Sequence, residues 1–328
     1  MFRKYWKMLK FFGLIAIILV CIPHSILPRQ NKESESIELK EYILLNNKEI
    51  RLSEYRDDEE ALKLKINQVE IINKSRRKFK ADPVKLDILA SRVANKMCRE
   101  AAENKYVGHW NLKGEKPYHR YAFAGGRDHV SENAYGAWTT STYVNSSVTI
   151  SEMMKEGHDS FMSEKAPADG HKQTVINKNH NYVGIGYYLT GNQFRYYEEF
   201  IDRYFKFGDI PSILEPEEQV ILNFSTDGKN FPYFIIIYRE DFPKKMSVNQ
   251  LEKKGSYSDF TSEEYLKMPA WEIAKYKRSS DYNVPVKFDR EGLYYIHIYA
   301  YKDEITKPGK LDTNGKTSGS GIVIKVVN

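Results

Sequence analysis

The chain has 328 residues, a formal net charge of +6 and two cysteines. Four of its basic residues lie in residues 1–28, which contain no acid, so a net charge of only +2 remains for the rest. Because residues 29–328 are so close to neutral, the sequence gives no reason to expect nucleic acid as a partner. The length accommodates two domains of ordinary size. Cys98 is the only cysteine beyond residue 28, which excludes an intramolecular disulfide in that part of the chain.

The first 28 residues are typical of a signal peptide or a short membrane anchor. Four basic residues precede an apolar run, residues 11–22, which ends at Pro23. The run is too short to span about 30 Å of hydrocarbon comfortably, which favours a cleaved or lipidated signal, with Cys21 as the candidate for lipidation. We therefore expect a secreted or envelope-attached protein that contacts a membrane only through this segment.

The next part of the chain is predicted to be a tether followed by two helices. Residues 29–60 are polar and charged and form the predicted tether, in which one short apolar interruption could form a short strand or helix. A first helix is expected from about Asp58 until Pro83 breaks the pattern. Asp87 is placed to cap a second helix. Apolar residues recur in that helix at four-residue intervals: Leu89, Val93, Met97 and Ala101. Cys98 shares this pattern and is predicted to be a buried thiol.

Residues 106–136 have the composition of a loop that builds a site. They combine three histidines, three acids and five glycines. His109 and Glu132 are the candidate site residues of this segment. A second cluster follows, with Glu156 and then His171 in the stretch GHKQTVINKNHNYVGIG. Two separated clusters of histidine and acid indicate one site assembled in space.

Several motif residues recur in a fixed order along this region. In sequence they are His109, Gly114, Pro117, Arg120, Gly125, Glu132, Asn133, Gly170, His171 and Val183 to Gly186. This order and its spacing resemble the SCP domain of the CAP superfamily, the family of cysteine-rich secretory proteins, antigen 5 and plant pathogenesis-related proteins. The match covers residues 71 to 204 and is closest to prokaryotic-type members, because the disulfides of the eukaryotic ones are missing.

The resemblance implies a groove lined by two histidines and two glutamates. Three of them fall on motif positions, His109, Glu132 and His171, and Glu156 is the expected fourth member. Glu152 fits less well by helical register. The resemblance also implies an α-β-α sandwich for residues 61–207, whereas the sequence pattern alone predicts only mixed α and β structure.

Residues 216–328 are predicted to form a smaller, all-β domain. Five short β-branched and aromatic runs are separated by turn residues: 219–224, 233–238, 284–288, 293–301 and 321–327. An immunoglobulin-like sandwich is the expected form, with a barrel as the alternative, so the predicted fold class is α+β. Residues 262–268 are helix-capable and interrupt the strands.

The chemistry of the tetrad allows more than one role. Two neutral imidazoles, His109 and His171, can bind zinc or another divalent metal, but catalytic zinc normally has three protein ligands, so we expect conditional loading. The carboxylates could instead orient the imidazoles, or one could serve as general base to a metal-bound water. Four further histidines are near enough in sequence to be extra metal ligands, but we interpret each as a surface or hydrogen-bonding residue: His119, His129, His158 and His180.

Three functions from different classes follow from this reading. We favour an SCP-domain protein that binds a lipid, polysaccharide or protein ligand, and we favour binding over turnover. The first alternative is a metal-assisted hydrolase or peptidase, although no HExxH, GxSxG or phosphate-binding GK[ST] motif is present. The second alternative is a structural envelope module in which the β-domain mediates adhesion.

Overall fold

A computed structural model describes residues 29–257 and 263–328, with side chains from residue 37 onward. The predicted signal peptide or anchor, together with Cys21, lies outside the described residues. Among the described residues no helix is long and apolar enough to cross a membrane. The chain divides into two units, Met1–Glu38 and Leu39–Asn328, and the second contains all of the sheets.

Eight α-helices occur in the part of the chain that the structure describes. They are α1 Arg29–Lys48, α2 Glu59–Lys78, α3 Ile88–Glu103, α4 Pro117–Phe123, α5 Ser147–Ser163, α6 Gly170–Ile176, α7 Val248–Leu251 and α8 Ala270–Ile273. The carboxylates of Asp58 and Asp87 cap α2 and α3, each accepting a backbone N–H three residues on at 2.7 Å. Both predicted helix starts are therefore confirmed.

The first sheet has four strands in the order β1, β3, β4, β2. These strands are β1 Lys85–Leu86, β2 His129–Trp138, β3 Tyr182–Thr190 and β4 Gln193–Asp202. Helix α3 packs on one face of the sheet, and α2, α5 and α6 pack on the other. This is the helix, sheet, helix layering expected for residues 61–207. Strand β2 lies at an edge, so one side of its backbone has no strand partner in this sheet.

Two glycines of β3 let α3 approach the sheet closely. A Cβ atom at Gly184 would lie 2.4 Å from the Cβ of Ala90, and one at Gly186 would lie 2.5 Å from that of Ala94. No side chain larger than hydrogen fits at either position without moving the helix. The neighbouring Cys98 of α3 is buried, as predicted.

The predicted tether is folded rather than extended. Helix α1 occupies its first part, and α1 side chains pack on the core between the sheet and α2. Arg92 of α3 holds the rest, because its guanidinium donates to the carbonyl oxygens of Asn46, Glu49 and Arg51 at 2.7, 2.9 and 2.6 Å. Apart from the buried Asn46 and Asp57, the side chains of residues 37–60 are exposed or half-buried, which agrees with their polar composition.

Two further sheets form from the C-terminal half. Their strands are β5 Phe205–Phe207, β6 Ile213–Leu214, β7 Gln219–Thr226, β8 Phe231–Glu240, β9 Glu264–Pro269, β10 Lys277–Arg278, β11 Asp281–Lys287, β12 Gly292–Tyr301, β13 Thr317–Ser318 and β14 Ile322–Val326. One sheet has the order β10, β11, β7, β5, and the other β6, β14, β12, β8, β9, with β13 on β12. Both sheets contribute side chains to one apolar core.

The five predicted strand runs are all present in these sheets. Residues 262–268, which were expected to be helix-capable, lie instead largely in β9. Pairing with β8 explains the difference, because Met268 and Leu266 face Ile235 and Ile237 across the ladder.

The C-terminal sheets pack directly against α3 and α4. Tyr118 of α4 stacks on Tyr295 of β12 with ring centroids 4.1 Å apart, and its hydroxyl donates to Glu240 at 2.5 Å. The predicted junction, residues 208–215, is exposed apart from Ile210 and Leu214. A division into domains 61–207 and 216–328 stays a prediction.

Candidate functional site

Glu132 is held at the edge of the first sheet. It lies in β2 directly opposite Glu199 of β4. By the alternation of strand side chains, both point to the face on which α3 packs, and both are buried. Two carboxyl groups are thus brought together away from water. Burial raises the pKa of both carboxyl groups. The pKa of Glu199 is raised further because the charge of Glu132 lies beside it.

Arg120 of α4 compensates the charge of this pair. Its guanidinium pairs with one carboxylate oxygen of Glu132, donates to the carbonyl oxygen of His109 at 2.5 Å and lies 3.7 Å from Glu199. Arg120 is itself buried, so the three side chains form an internal cluster with one positive charge. We therefore take Glu132 as the ionised acid and Glu199 as the protonated one.

His109 completes the cluster on the side of solvent. Its Nδ1 lies 2.8 Å from the second oxygen of Glu132. Burial, with repulsion from Arg120, lowers the pKa of His109 to about 4, so the ring is neutral near pH 7. The neutral ring keeps its proton on the nitrogen that faces the carboxylate, which leaves the lone pair of Nε2 available to a ligand.

His171 is oriented in the same way by a different acid. Its Nδ1 lies 2.5 Å from Glu164, the residue that follows α5. The other oxygen of Glu164 accepts the backbone N–H groups of His171 and Lys172 at 3.0 and 3.3 Å, which anchors the start of α6. Phe161 packs on the His171 ring with centroids 5.0 Å apart.

The two imidazoles face one cleft. Their ring centroids are 6.2 Å apart, and the cleft has a volume of about 670 Å³. Glu132 and Glu164 line the same cleft, as does Tyr257 from the C-terminal half. The cleft therefore contains two histidine and carboxylate pairs, each with Nδ1 held and Nε2 not bound to its acid.

The structure brings together three of the four predicted tetrad residues: His109, Glu132 and His171. Glu156 is exposed on α5, does not line the cleft and accepts the hydroxyl of Tyr135 at 3.1 Å. The acid that contacts His171 is Glu164. Its position seven residues before His171, at the end of a helix, was the available signal.

The four histidines interpreted above as hydrogen-bonding residues lie outside the cleft and form hydrogen bonds. His158 bonds Glu198 at 2.8 Å, and His180 and His129 bond Asp202 at 2.5 and 3.2 Å. His119 accepts the backbone N–H of the residue three positions before it at 3.2 Å. These contacts agree with the hydrogen-bonding interpretation.

His109 and His171 are the candidate metal ligands that line the cleft. No group of three or more His, Cys, Asp or Glu side chains in the described residues is placed to hold a metal ion. Zinc binds imidazole nitrogen at about 2 Å with tetrahedral geometry, so two rings that share one ion have centroids about 5 Å apart. The centroids of His109 and His171 are 6.2 Å apart, so the rings would have to move closer to share an ion. Each ring has the carboxylate partner typical of metal-ligating histidines.

Comparison with known proteins agrees with the motifs. An extracellular protein from Bacillus anthracis that contains a SCP domain is similar to this chain, with 15% identity and a TM-score of 0.32, over 42% of this chain and 40% of that one. The chain resembles SCP-domain proteins. An outer surface protein from Borrelia burgdorferi shares 19% identity, with a TM-score of 0.32, over 42% of this chain and 91% of that one.

A cysteine-rich secretory protein from Staphylococcus aureus is also similar, with 14% identity and a TM-score of 0.28, over 42% of this chain and 38% of its own. The resemblance that the motifs indicate is confirmed. The chain spans less than half the length of the Bacillus and Staphylococcus proteins. No family model and no curated protein matches.

Proposed function

We propose that this chain is an extracytoplasmic SCP-domain protein that binds its ligand in the cleft of His109 and His171. The observation that supports this most strongly is the pair of imidazoles, each oriented by a buried or half-buried acid, facing one cavity large enough for a ligand group. The ligand is a lipid, a polysaccharide or a protein. The printed descriptions of the Bacillus and Borrelia proteins, extracellular and outer surface, support the proposed location.

The contacts that the carboxylates of Glu132 and Glu164 already make favour a binding function over hydrolysis. A general base for water needs a carboxylate oxygen that can take a proton. One oxygen of Glu132 bonds His109 and the other pairs with Arg120. Glu164 is equally occupied, by His171 and by two backbone N–H groups. Both acids therefore act as positioning residues for the imidazoles.

We propose that zinc or another divalent cation joins His109 and His171 through their Nε2 atoms. When bound, the cation would supply a Lewis acid to which a carbonyl, carboxylate or phosphate oxygen of the ligand attaches. Two protein ligands predict modest affinity, because structural and catalytic zinc sites use three or four. The low pKa of His109 means that its protonation does not oppose binding above about pH 5.

Titration calorimetry with zinc chloride on the full chain tests this proposal. The double variant His109→Ala, His171→Ala is expected to lose the binding. Glu152→Gln, which changes an exposed acid of α5 outside the cleft, should leave it intact. Undiminished zinc binding by the double variant would place the metal elsewhere and remove the support for a two-histidine site.

We also propose that residues 216–328 form an immunoglobulin-like sandwich. Two facing sheets with one shared apolar core support this form. Adhesion through these sheets is the alternative role. Attachment of the full chain to cells, unchanged in the double histidine variant, would favour adhesion over the cleft as the site of binding.

A further inference from the structure

The connection between β8 and β9 leaves the C-terminal sheets and packs against the loop that carries His109. The backbone N–H of Met246 donates to the carbonyl oxygen of Leu112 at 2.9 Å. The carbonyl oxygen of Lys244 lies so close to Gly114 that a Cβ there would be 2.2 Å away. Leu251 of α7 is buried in the cluster that contains Trp110, the residue after His109. Residues 241–257 are thus fixed to this loop at several points.

Within residues 241–257, Tyr257 lines the cleft. The Tyr257 hydroxyl accepts the backbone N–H of Glu132 at 2.9 Å, across 125 positions of sequence. Because β2 is an edge strand, that N–H has no partner strand on this side. The phenol ring lies 5.0 Å from the His109 ring, centroid to centroid, and 6.4 Å from that of Trp110. The side chain therefore covers both the edge of the sheet and one side of the imidazole.

We infer that residues 241–257 form a wall of the cleft and that Tyr257 is a specificity-determining residue, which sets what reaches His109. Only 14% of the His109 side chain is exposed, against 35% for His171, whose ring contacts involve Phe161 and His109 but not Tyr257. The His109 imidazole is therefore the less accessible of the two, and the phenol ring of Tyr257 covers one side of it. The site is composite, because the C-terminal half contributes one of its walls.

Chemical labelling of the full chain with diethyl pyrocarbonate tests this wall. The reagent modifies neutral imidazole, and peptide mass spectrometry gives separate rates for His109 and His171. In Tyr257→Ala we expect labelling of His109 to accelerate severalfold while His171 keeps its rate. Tyr257→Phe retains the ring and should label like the wild type. Tyr276→Ala, at a partly exposed tyrosine of the same half that does not line the cleft, is the control.

Equal labelling of His109 in the wild type and in Tyr257→Ala, with the same melting temperature, would overturn the inference. Hydrogen exchange supplies a second measurement that does not depend on the alanine variant folding. Tyr257→Phe removes the acceptor of the Glu132 N–H, so exchange of that amide should become at least about tenfold faster. Unchanged exchange would refute the hydroxyl contact. Neither measurement uses a ligand or a metal, so failure here is distinct from failure of the proposed function.

Discussion

Replacement of Glu199 by Gln is expected to remove a pH dependence from the stability of the fold. Glu199 is fully buried opposite Glu132, and no hydrogen-bond donor in the described residues serves either of its oxygens. Burial and the charge of Glu132 raise the pKa of Glu199 well above 4.5, so the folded chain holds this carboxyl group protonated. Glutamine has the same shape and never ionises.

The magnitude follows from proton linkage. A glutamate of the unfolded chain ionises near pH 4.5, whereas the folded one keeps its proton. The stability that Glu199 contributes is complete below pH 4.5 and is lost as the pH rises toward its folded pKa. Each pH unit in that window lowers the free energy of unfolding by about 1.4 kcal/mol. The Glu199→Gln variant does not have this loss. The difference between its free energy of unfolding and that of the wild type should therefore grow by about 1.4 kcal/mol for each pH unit above about pH 5.

Urea unfolding at pH 5, 6, 7 and 8 measures the effect. Wild type, Glu199→Gln and the exposed control Glu152→Gln are compared at each pH. The control should follow the wild type throughout. If the free energy of unfolding changes with pH in the same way for Glu199→Gln and the wild type, Glu199 has the same pKa in the folded and unfolded states. The assignment of the proton to the buried pair would then be wrong.

Two further predictions concern the fourth acid and the division of the chain. Glu164→Gln should weaken zinc binding about 10- to 100-fold because it frees the His171 ring, whereas Glu156→Gln should not; calorimetry that shows equal effects would contradict this. Brief proteolysis of the folded chain should cut first within residues 208–215, at the exposed residues 209 and 211, which lie between β5 and β6. First cuts inside both halves, found by mass spectrometry, would count against a two-domain division.

Local physical rules were enough to predict helices α2 and α3. Asp87 caps α3 because a short acid at that position satisfies free N–H groups, which is readable from sequence. Gly184 and Gly186 are among the motif residues, and α3 lies against both of them. The motif order likewise predicted that His109, Glu132 and His171 meet, although 62 positions separate the first from the last.

Local rules did not predict the features that depend on long-range contacts. The polar segment 29–60 gives no local sign of attachment to α3, yet the guanidinium of Arg92 binds the carbonyl oxygens of Asn46, Glu49 and Arg51, which lie 41 to 46 positions before it. Glu199 has no local signal at all. Its importance comes from the register of β2 and β4, which places it opposite Glu132, and a shift of one residue would have turned it to the other face of the sheet.

The periodicity argument for the fourth acid considered only residues within α5, whereas a helix-capping argument applies to Glu164. Helical register can rank Glu152 against Glu156, because both lie within α5, but it does not weigh Glu164, which follows the last helical residue. Glu164 is positioned by the next helix, whose first N–H groups its carboxylate accepts. Because His171 stands at that same helix start, one carboxylate reaches both the backbone and the imidazole. The anchoring of α6 and the orientation of His171 are therefore a single interaction.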